Sequence, residues 1–157
     1  MSRTPTFQRE DNYATPAAAW ELIVKELNLK DEVVWCPFYC QGELDTQFKY
    51  ENKIHQDKDF FTYEPDKYKY TIDNPPYSIK EKVMDRLVEL GKPFALLLPF
   101  DTMERKYFLK YVDRDFSIII PNERYKFITN KKNDNPSFKA CWFCFGFGLK
   151  DKMIFQR

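Results

Sequence analysis

Two adjacent prolines, Pro75 and Pro76, constrain this 157-residue chain more than any other feature. Each fixes its own φ and removes a backbone donor, and each disfavours helix in the residue before it. The run Lys69-Tyr70-Thr71-Ile72-Asp73 that leads into them is β-like, and a helix is expected to begin just after Ser78. A strand must therefore end, and a helix begin, across Asn74-Pro75-Pro76-Tyr77. That junction is the repeating unit of α/β proteins, and the rest of the chain has to supply its neighbours.

It does so in alternation. Thr15 is a candidate N-cap with Pro16 in the first helical position, and Ala17 to Leu29 reads as a helix with Trp20, Ile23, Val24 and Leu27 on one stripe. Glu32 to Cys36 reads as a strand, Glu43 to about Tyr50 as a helix, and Asn52 to Gln56 as a second strand ending at Asp57. After the prolines, Ser78-Ile79-Lys80-Glu81 matches a capping box. Its helix reaches Leu90 with Ile79, Val83, Leu87 and Leu90 inward and Gly91 closing it. Pro93 to Pro99 is continuously apolar, as in a strand buried on both faces. A further helix is expected from Thr102 to Val112. Strands follow at Phe116–Ile120, Tyr125–Ile128 and Phe138–Phe147, with an edge strand at Lys152–Phe155. Thr129 to Ser137 is a polar loop. The expectation is one α/β domain with a mostly parallel sheet flanked by helices over 11–157, preceded by a mobile polar arm at 1–10.

Ligands in such sheets lie beyond the carboxyl ends of the strands. Cys36, Asp57 and Asp73 end three successive strands in this reading, so sites at these positions would converge. The chemistry at the prolines is specific. Asn74 contributes a side-chain amide oxygen and Pro75 a rigidly held carbonyl, so each can accept one N–H of an exocyclic NH₂ group. Tyr77 supplies a face to stack on a planar ring. Holding both N–H bonds localises the nitrogen lone pair and prepares it for in-line attack on an activated methyl group. This is catalysis by positioning and electrostatics, without a classical general base.

Asn74-Pro75-Pro76-Tyr77 resembles the catalytic motif of amino-group methyltransferases that use S-adenosylmethionine, in the form typical of adenine-N6 enzymes. The resemblance runs from Tyr13 to the strand near Phe147, and is to small DNA methyltransferases of phages and mobile elements. It implies a class I, Rossmann-like methyltransferase fold. It implies S-adenosylmethionine as cofactor and the N6 amine of adenine in DNA as acceptor, with catalysis by Asn74, Pro75, Pro76 and Tyr77. Tyr13, Thr15 and Pro16 ahead of the first helix look like the segment that closes over the methionine end of the cofactor. Pro37, Phe38 and Gly42 match the cofactor loop. Asp57 corresponds to the acid that holds the ribose hydroxyls. Asp59 and Phe60 look like the segment that touches the cofactor adenine. The loop departs from the family pattern, with Cys36 where an acid belongs and Cys40 where the first glycine belongs. Those departures motivate the alternative of a catalytically degenerate fold kept as a protein- or nucleic-acid-binding module. The same motif also serves RNA and protein-glutamine methyltransferases, which leaves those substrates as a further alternative.

Charge neither advertises nor excludes a nucleic-acid partner, with 25 basic against 24 acidic residues. Local cations at Lys80, Arg124, Lys126, Lys131 and Lys132 are candidate phosphate contacts. Lys82 and Arg86 are candidates to border the substrate entrance beside Lys80. A duplex target would have to be flipped toward Tyr77. The chain has no room for a separate recognition domain, so sequence reading would fall to loops, a second copy or a specificity partner. No apolar run is long enough for a membrane span and no leader pattern stands at the N-terminus, so the expected setting is the cytoplasm or the host nucleoplasm. Cys36, Cys40, Cys141 and Cys144 have spacings open to zinc, but Cys141 and Cys144 fall inside an apolar strand on opposite faces, so no metal is expected.

Overall fold

The computed structural model describes residues 14–39, 44–127 and 138–157, with 45 and 46 as backbone only. Tyr13, Cys40, Gly42, Lys131 and Lys132, and the arm at 1–10, lie outside the described residues.

Among the described residues seven strands form one sheet. They are β1 (Val34–Trp35), β2 (Lys53–Ile54), β3 (Tyr70–Asp73), β4 (Phe94–Pro99), β5 (Phe116–Ile120), β6 (Ala140–Phe145) and β7 (Met153–Phe155), in the spatial order β2-β1-β3-β4-β6-β5-β7. β1 runs parallel to β2 and β3, β3 to β4, and β5 to β7. β6 is antiparallel to both β4 and β5. The helices are α1 (Ala17–Leu27), the short α2 (Leu44–Gln47) and α3 (Lys80–Leu90). The mostly parallel, Rossmann-like sheet expected of a class I methyltransferase is thus the observed architecture.

Strand alternation divides the side chains between two cores. Trp35, Leu96, Leu98, Ile118, Cys141 and Phe143 pack with Val83, Met84 and Leu87 of α3. Val34, Cys36, Ile72, Ala95, Leu97, Ile119, Trp142 and Cys144 pack with Trp20, Leu22 and Ile23 of α1. The central strands are apolar without interruption because both faces are covered: every residue of β4, β5 and β6 is buried. The cysteines at 141 and 144 fall in different cores, as period-two geometry requires. No cluster of metal-binding side chains occurs among the described residues.

Several boundaries differ from those expected. α1 stops at Leu27 because Asn28 turns left-handed at φ 51°. Its N-cap is Pro16, without a side-chain bond, so Thr15 does not cap it. Ser78 likewise is no cap: Tyr77–Ile79 form a 3-10 turn, and α3 starts behind Ile79 with no side-chain capping bond. Gly91 does close α3, at φ 77° with its N–H on the Leu87 and Val88 carbonyls. The helix expected over Thr102 to Val112 is replaced by two 3-10 segments, Phe100–Glu104 and Lys106–Lys110, with extended Arg105 between them. Tyr125 to Phe127 form no strand. β1 and β2 are two residues each, shorter than the strands expected over Glu32–Cys36 and Asn52–Gln56. α2 spans Leu44–Gln47, half of the helix expected to reach Tyr50.

Among the described residues no helix is long and apolar enough to cross a membrane.

Candidate active site

The order of strands reverses at β1. From β1 the chain goes outward to β2, then returns to the other side of β1 as β3 and continues to β4. An open α/β sheet has its crevice where the order reverses, beyond the carboxyl ends of the two strands concerned. Here those ends lead into Cys36-Pro37-Phe38-Tyr39 after β1 and Asn74-Pro75-Pro76-Tyr77 after β3. The two segments singled out from sequence therefore meet at the crevice through topology alone.

One side chain ties them together. The Asp73 carboxylate accepts the Phe38 N–H through Oδ2 at 2.7 Å and the Asn74 N–H through Oδ1 at 2.8 Å. Asp73 is only 3% exposed, and it is the one acid among the buried residues described. Burial raises its pKa, against the opposing pull of the two amides, to about 8. Sequence reasoning places Asp73 at a strand end and gives it no role. The available signal is an acid closing a β-like strand, immediately ahead of the motif.

Pro75 and Pro76 are buried, and Asn74 and Tyr77 are half-buried. Pro76 is extended at φ −60° and ψ 124°, and its carbonyl accepts the Ile79 N–H at 3.2 Å, which starts the 3-10 turn. The Tyr77 ring meets Phe138 edge-on, centroids 5.4 Å apart at 71°. Phe138 precedes β6, whose antiparallel course brings that end beside the carboxyl ends of β3 and β4. The sequence pattern marks it only as a strand residue. Lys80 reaches back to the Tyr77 carbonyl at 3.4 Å, so it lies beside the motif.

The edge of the crevice near β2 differs from expectation. β2 ends at Ile54, so the residue at the strand end is His55, and Asp57 lies exposed two positions further on. The strand expected to run to Gln56 is cut short there. His55 is the chain's one histidine. Its Nδ1 lies 3.1 Å from the Cys36 carbonyl oxygen, and its Nε2 lies 3.1 Å from that of Tyr39. Its ring also stacks on Tyr39, with centroids 4.9 Å apart. A neutral imidazole donates through one nitrogen and an imidazolium through both. Cys36 itself is fully buried among the apolar side chains around α1, which explains a thiol where an acid was expected.

Asp59 opens a tight turn. Its Oδ1 accepts the Phe61 N–H at 2.9 Å, and its carbonyl accepts from Thr62 and Tyr63. Phe60 is a core residue, 1% exposed, packed against Trp35, Phe38 and Phe61. Arg86 of α3 donates through Nε to the Phe60 carbonyl at 2.6 Å and through an Nη to that of Tyr63 at 3.4 Å, with its guanidinium over the Phe60 ring. Arg86 thus fastens this turn. Thr15 is buried just ahead of α1, and Arg124 and Lys126 are exposed in the segment beyond β5.

Among solved structures the chain is similar to the tRNA (m1A58) methyltransferase TrmI from Aquifex aeolicus, at 18% identity and a TM-score of 0.48, over 88% of this chain and 71% of that one. It is also similar to a putative methyltransferase from Thermoplasma acidophilum, at 11% identity and a TM-score of 0.40, over 91% of this chain and 69% of that one. No family model matches, and no curated protein matches. Likenesses of this size carry no weight for substrate or residue roles, which rest on the site itself.

Proposed function

We propose that this chain is an S-adenosylmethionine-dependent methyltransferase acting on the exocyclic N6 amine of adenine in DNA. The observation that carries the reading is the position of Asn74-Pro75-Pro76-Tyr77 at the reversal crevice, joined to the loop after β1 by Asp73. A rigid acceptor pair beside an aromatic ring, facing a loop that can take a cofactor, is what amine methylation requires.

The residues present fit such a cofactor in most respects. Asp59 holds a carboxylate in a fixed turn with Oδ1 engaged and a second oxygen as acceptor for an adenine amine. Pro37 and Phe38 form the wall after β1, Phe60 backs it, and Thr15 and Pro16 lie ahead of α1. Tyr13 and Gly42 complete the set expected from the motif resemblance. The ribose position is the exception: His55 occupies the strand end, so the diol partner in this reading is the nearby exposed Asp57. S-adenosylmethionine supplies an electrophilic methyl group when bound.

The chain's own residues do the rest. The Asn74 side-chain oxygen and the Pro75 carbonyl accept the two N–H bonds of the target amine and turn its lone pair toward the methyl group. Pro76 keeps the carbonyl of Pro75 from rotating away. Tyr77, braced by Phe138, covers the target base. Lys80 beside the motif, and Arg124 and Lys126 beyond β5, serve as phosphate contacts, with Lys131 and Lys132 a few positions further along the sequence. A duplex would present its adenine by flipping.

The test is incorporation of labelled methyl groups into defined DNA, RNA and protein pools. Label on N6-methyladenine in DNA supports the reading. Label confined to RNA or glutamine moves the substrate class. Cofactor binding without transfer to any pool would favour a non-catalytic module, the reading that His55 in place of an acid at the β2 end supports.

A further inference from the structure

β7 forms one edge of the sheet, and among the described residues no strand pairs with its outer side. The Ile118 N–H donates to the Lys152 carbonyl at 2.7 Å, and the Gln156 N–H donates to the Ile120 carbonyl at 2.9 Å. Along a strand, alternate residues turn their backbone groups to the same neighbour. Lys152, Ile154 and Gln156 thus face β5, and the N–H and C=O groups of Met153 and Phe155 face outward. The side chains alternate as well. Met153 and Phe155 stand in register with Ile118 and Ile120, on the α3 face of the sheet, whereas Ile154 packs on the α1 face. Phe155 is 64% exposed and Met153 37%. An open strand edge that also carries exposed apolar side chains is a template for a further strand.

We propose that this edge pairs antiparallel with the same edge of a second copy of the chain. Outward-facing residues must oppose outward-facing residues, so the two-fold axis passes through Met153, Ile154 or Phe155. The residues along the strand select among these. Centred on Met153, Asp151 falls opposite Phe155 of the second copy. Centred on Phe155, Arg157 falls opposite Met153. Centred on Ile154, Met153 falls opposite Phe155 and Asp151 opposite Arg157, apolar with apolar and anion with cation, each repeated by symmetry. Asp151 and Arg157 flank β7 and are both exposed. The Asp151 carbonyl accepts from the Ser117 hydroxyl at 2.6 Å, which leaves the exposed carboxylate as the group presented to the second copy. In this register Met153 and Phe155 exchange backbone bonds across the axis, and their side chains cover one another on the α3 face. The two copies run in opposite directions, so their crevices open at opposite ends of the joined sheet. Each crevice, at β1 and β3, lies beyond β4, β6 and β5 from the axis, and neither copy covers the other's. The pairing does not depend on the chemistry of the crevice.

The experiment is sedimentation velocity of the full chain across the micromolar range, with charge-reversal and cysteine variants. The wild type should shift from monomer to dimer as concentration rises. Asp151→Arg or Arg157→Asp alone sets like charges opposite each other and should weaken the dimer severalfold. The two substitutions together should restore it. Ile154→Cys places two thiols at the axis, where the Cα atoms of a pair without backbone bonds lie about 4.5 Å apart, within reach of a disulfide. Mild oxidation should cross-link that variant and leave the wild type and Lys152→Cys as single chains on a denaturing gel. A monomer at every concentration overturns the inference. Protection of the Met153 and Phe155 amides from hydrogen exchange in such a monomer would assign the edge to another segment of the same chain. A dimer indifferent to the charge reversals, with Ile154→Cys not cross-linked, overturns it equally.

Discussion

The Asp73 carboxylate accepts the Phe38 backbone N–H at 2.7 Å across a separation of 35 positions. That bond fastens the end of β3 to the loop beyond β1 at the point where the strand order reverses. Removing it should be felt. In Asp73→Ala both backbone donors lose their acceptor. The expected loss of stability is about 1–3 kcal/mol, read from urea unfolding at pH 5.

The same residue gives a pH dependence of stability. Its pKa rises from 3.8 in the unfolded chain to about 8 in the fold. Between those values the folded state holds the proton and the unfolded state does not, so the stabilising contribution of Asp73 is complete below 3.8 and is lost as pH rises to about 8. Urea midpoints across that range should fall for the wild type from this cause and fall less for Asp73→Asn. A slope unchanged by the substitution would assign the trend to other groups.

Asn74→Ala removes a half-buried side chain from a loop already held by two prolines. Methyl transfer should drop on the order of 10²–10³-fold, with the unfolding midpoint little changed. Wild-type turnover in this variant would sink the proposed chemistry.

Arg86→Ala releases the Phe60 and Tyr63 carbonyls. The turn that carries Asp59 then loses its fastening to α3. Cofactor affinity should weaken severalfold while turnover at saturating cofactor is kept. A change confined to turnover would place Arg86 on the acceptor side instead.

Arg124 and Lys126 are exposed beyond β5. If they meet phosphates, replacing both with alanine should weaken DNA binding for every sequence alike. It should also reduce the slope of log affinity against log salt by about one for each phosphate no longer neutralised. An unchanged slope would remove this segment from the interface.

Much of this architecture is legible in the chain itself. β5 falls at Phe116–Ile120 as expected, and β4 and β6 are fixed by unbroken apolar runs, because burial on both faces leaves a strong signal. The Pro75-Pro76 pair marks the strand-to-helix junction because backbone geometry allows little else there. The errors lie where tertiary bonds override local pattern. Ser78 and Glu81 spell a capping box, yet the rigid extended Pro76 imposes a 3-10 turn first. Thr102 to Val112 has helical composition, but the anchoring of Phe108 against Phe116, Phe143 and Phe145 accompanies a break at Arg105. At the site, Asn74 and Tyr77 are readable because their chemistry is local. Asp73, His55 and Arg86 act across 35, 19 and 26 positions, and no spacing rule announces such bonds.

The late arrival of β6 has a consequence for how the molecule is made. It lies between β4 and β5 although it follows both in the chain, and its Trp142 donates to the Ala19 carbonyl across 123 positions. While the ribosome is still upstream of Ala140, β4 and β5 therefore have no common neighbour, and α1 lacks the indole it will close upon. The nascent chain must carry β4 with an unpaired apolar edge until β6 has emerged. Such an edge invites pairing with other chains. Folding is thereby tied to the emergence of β6, and truncation ahead of Ala140 should yield aggregates in place of a smaller folded unit.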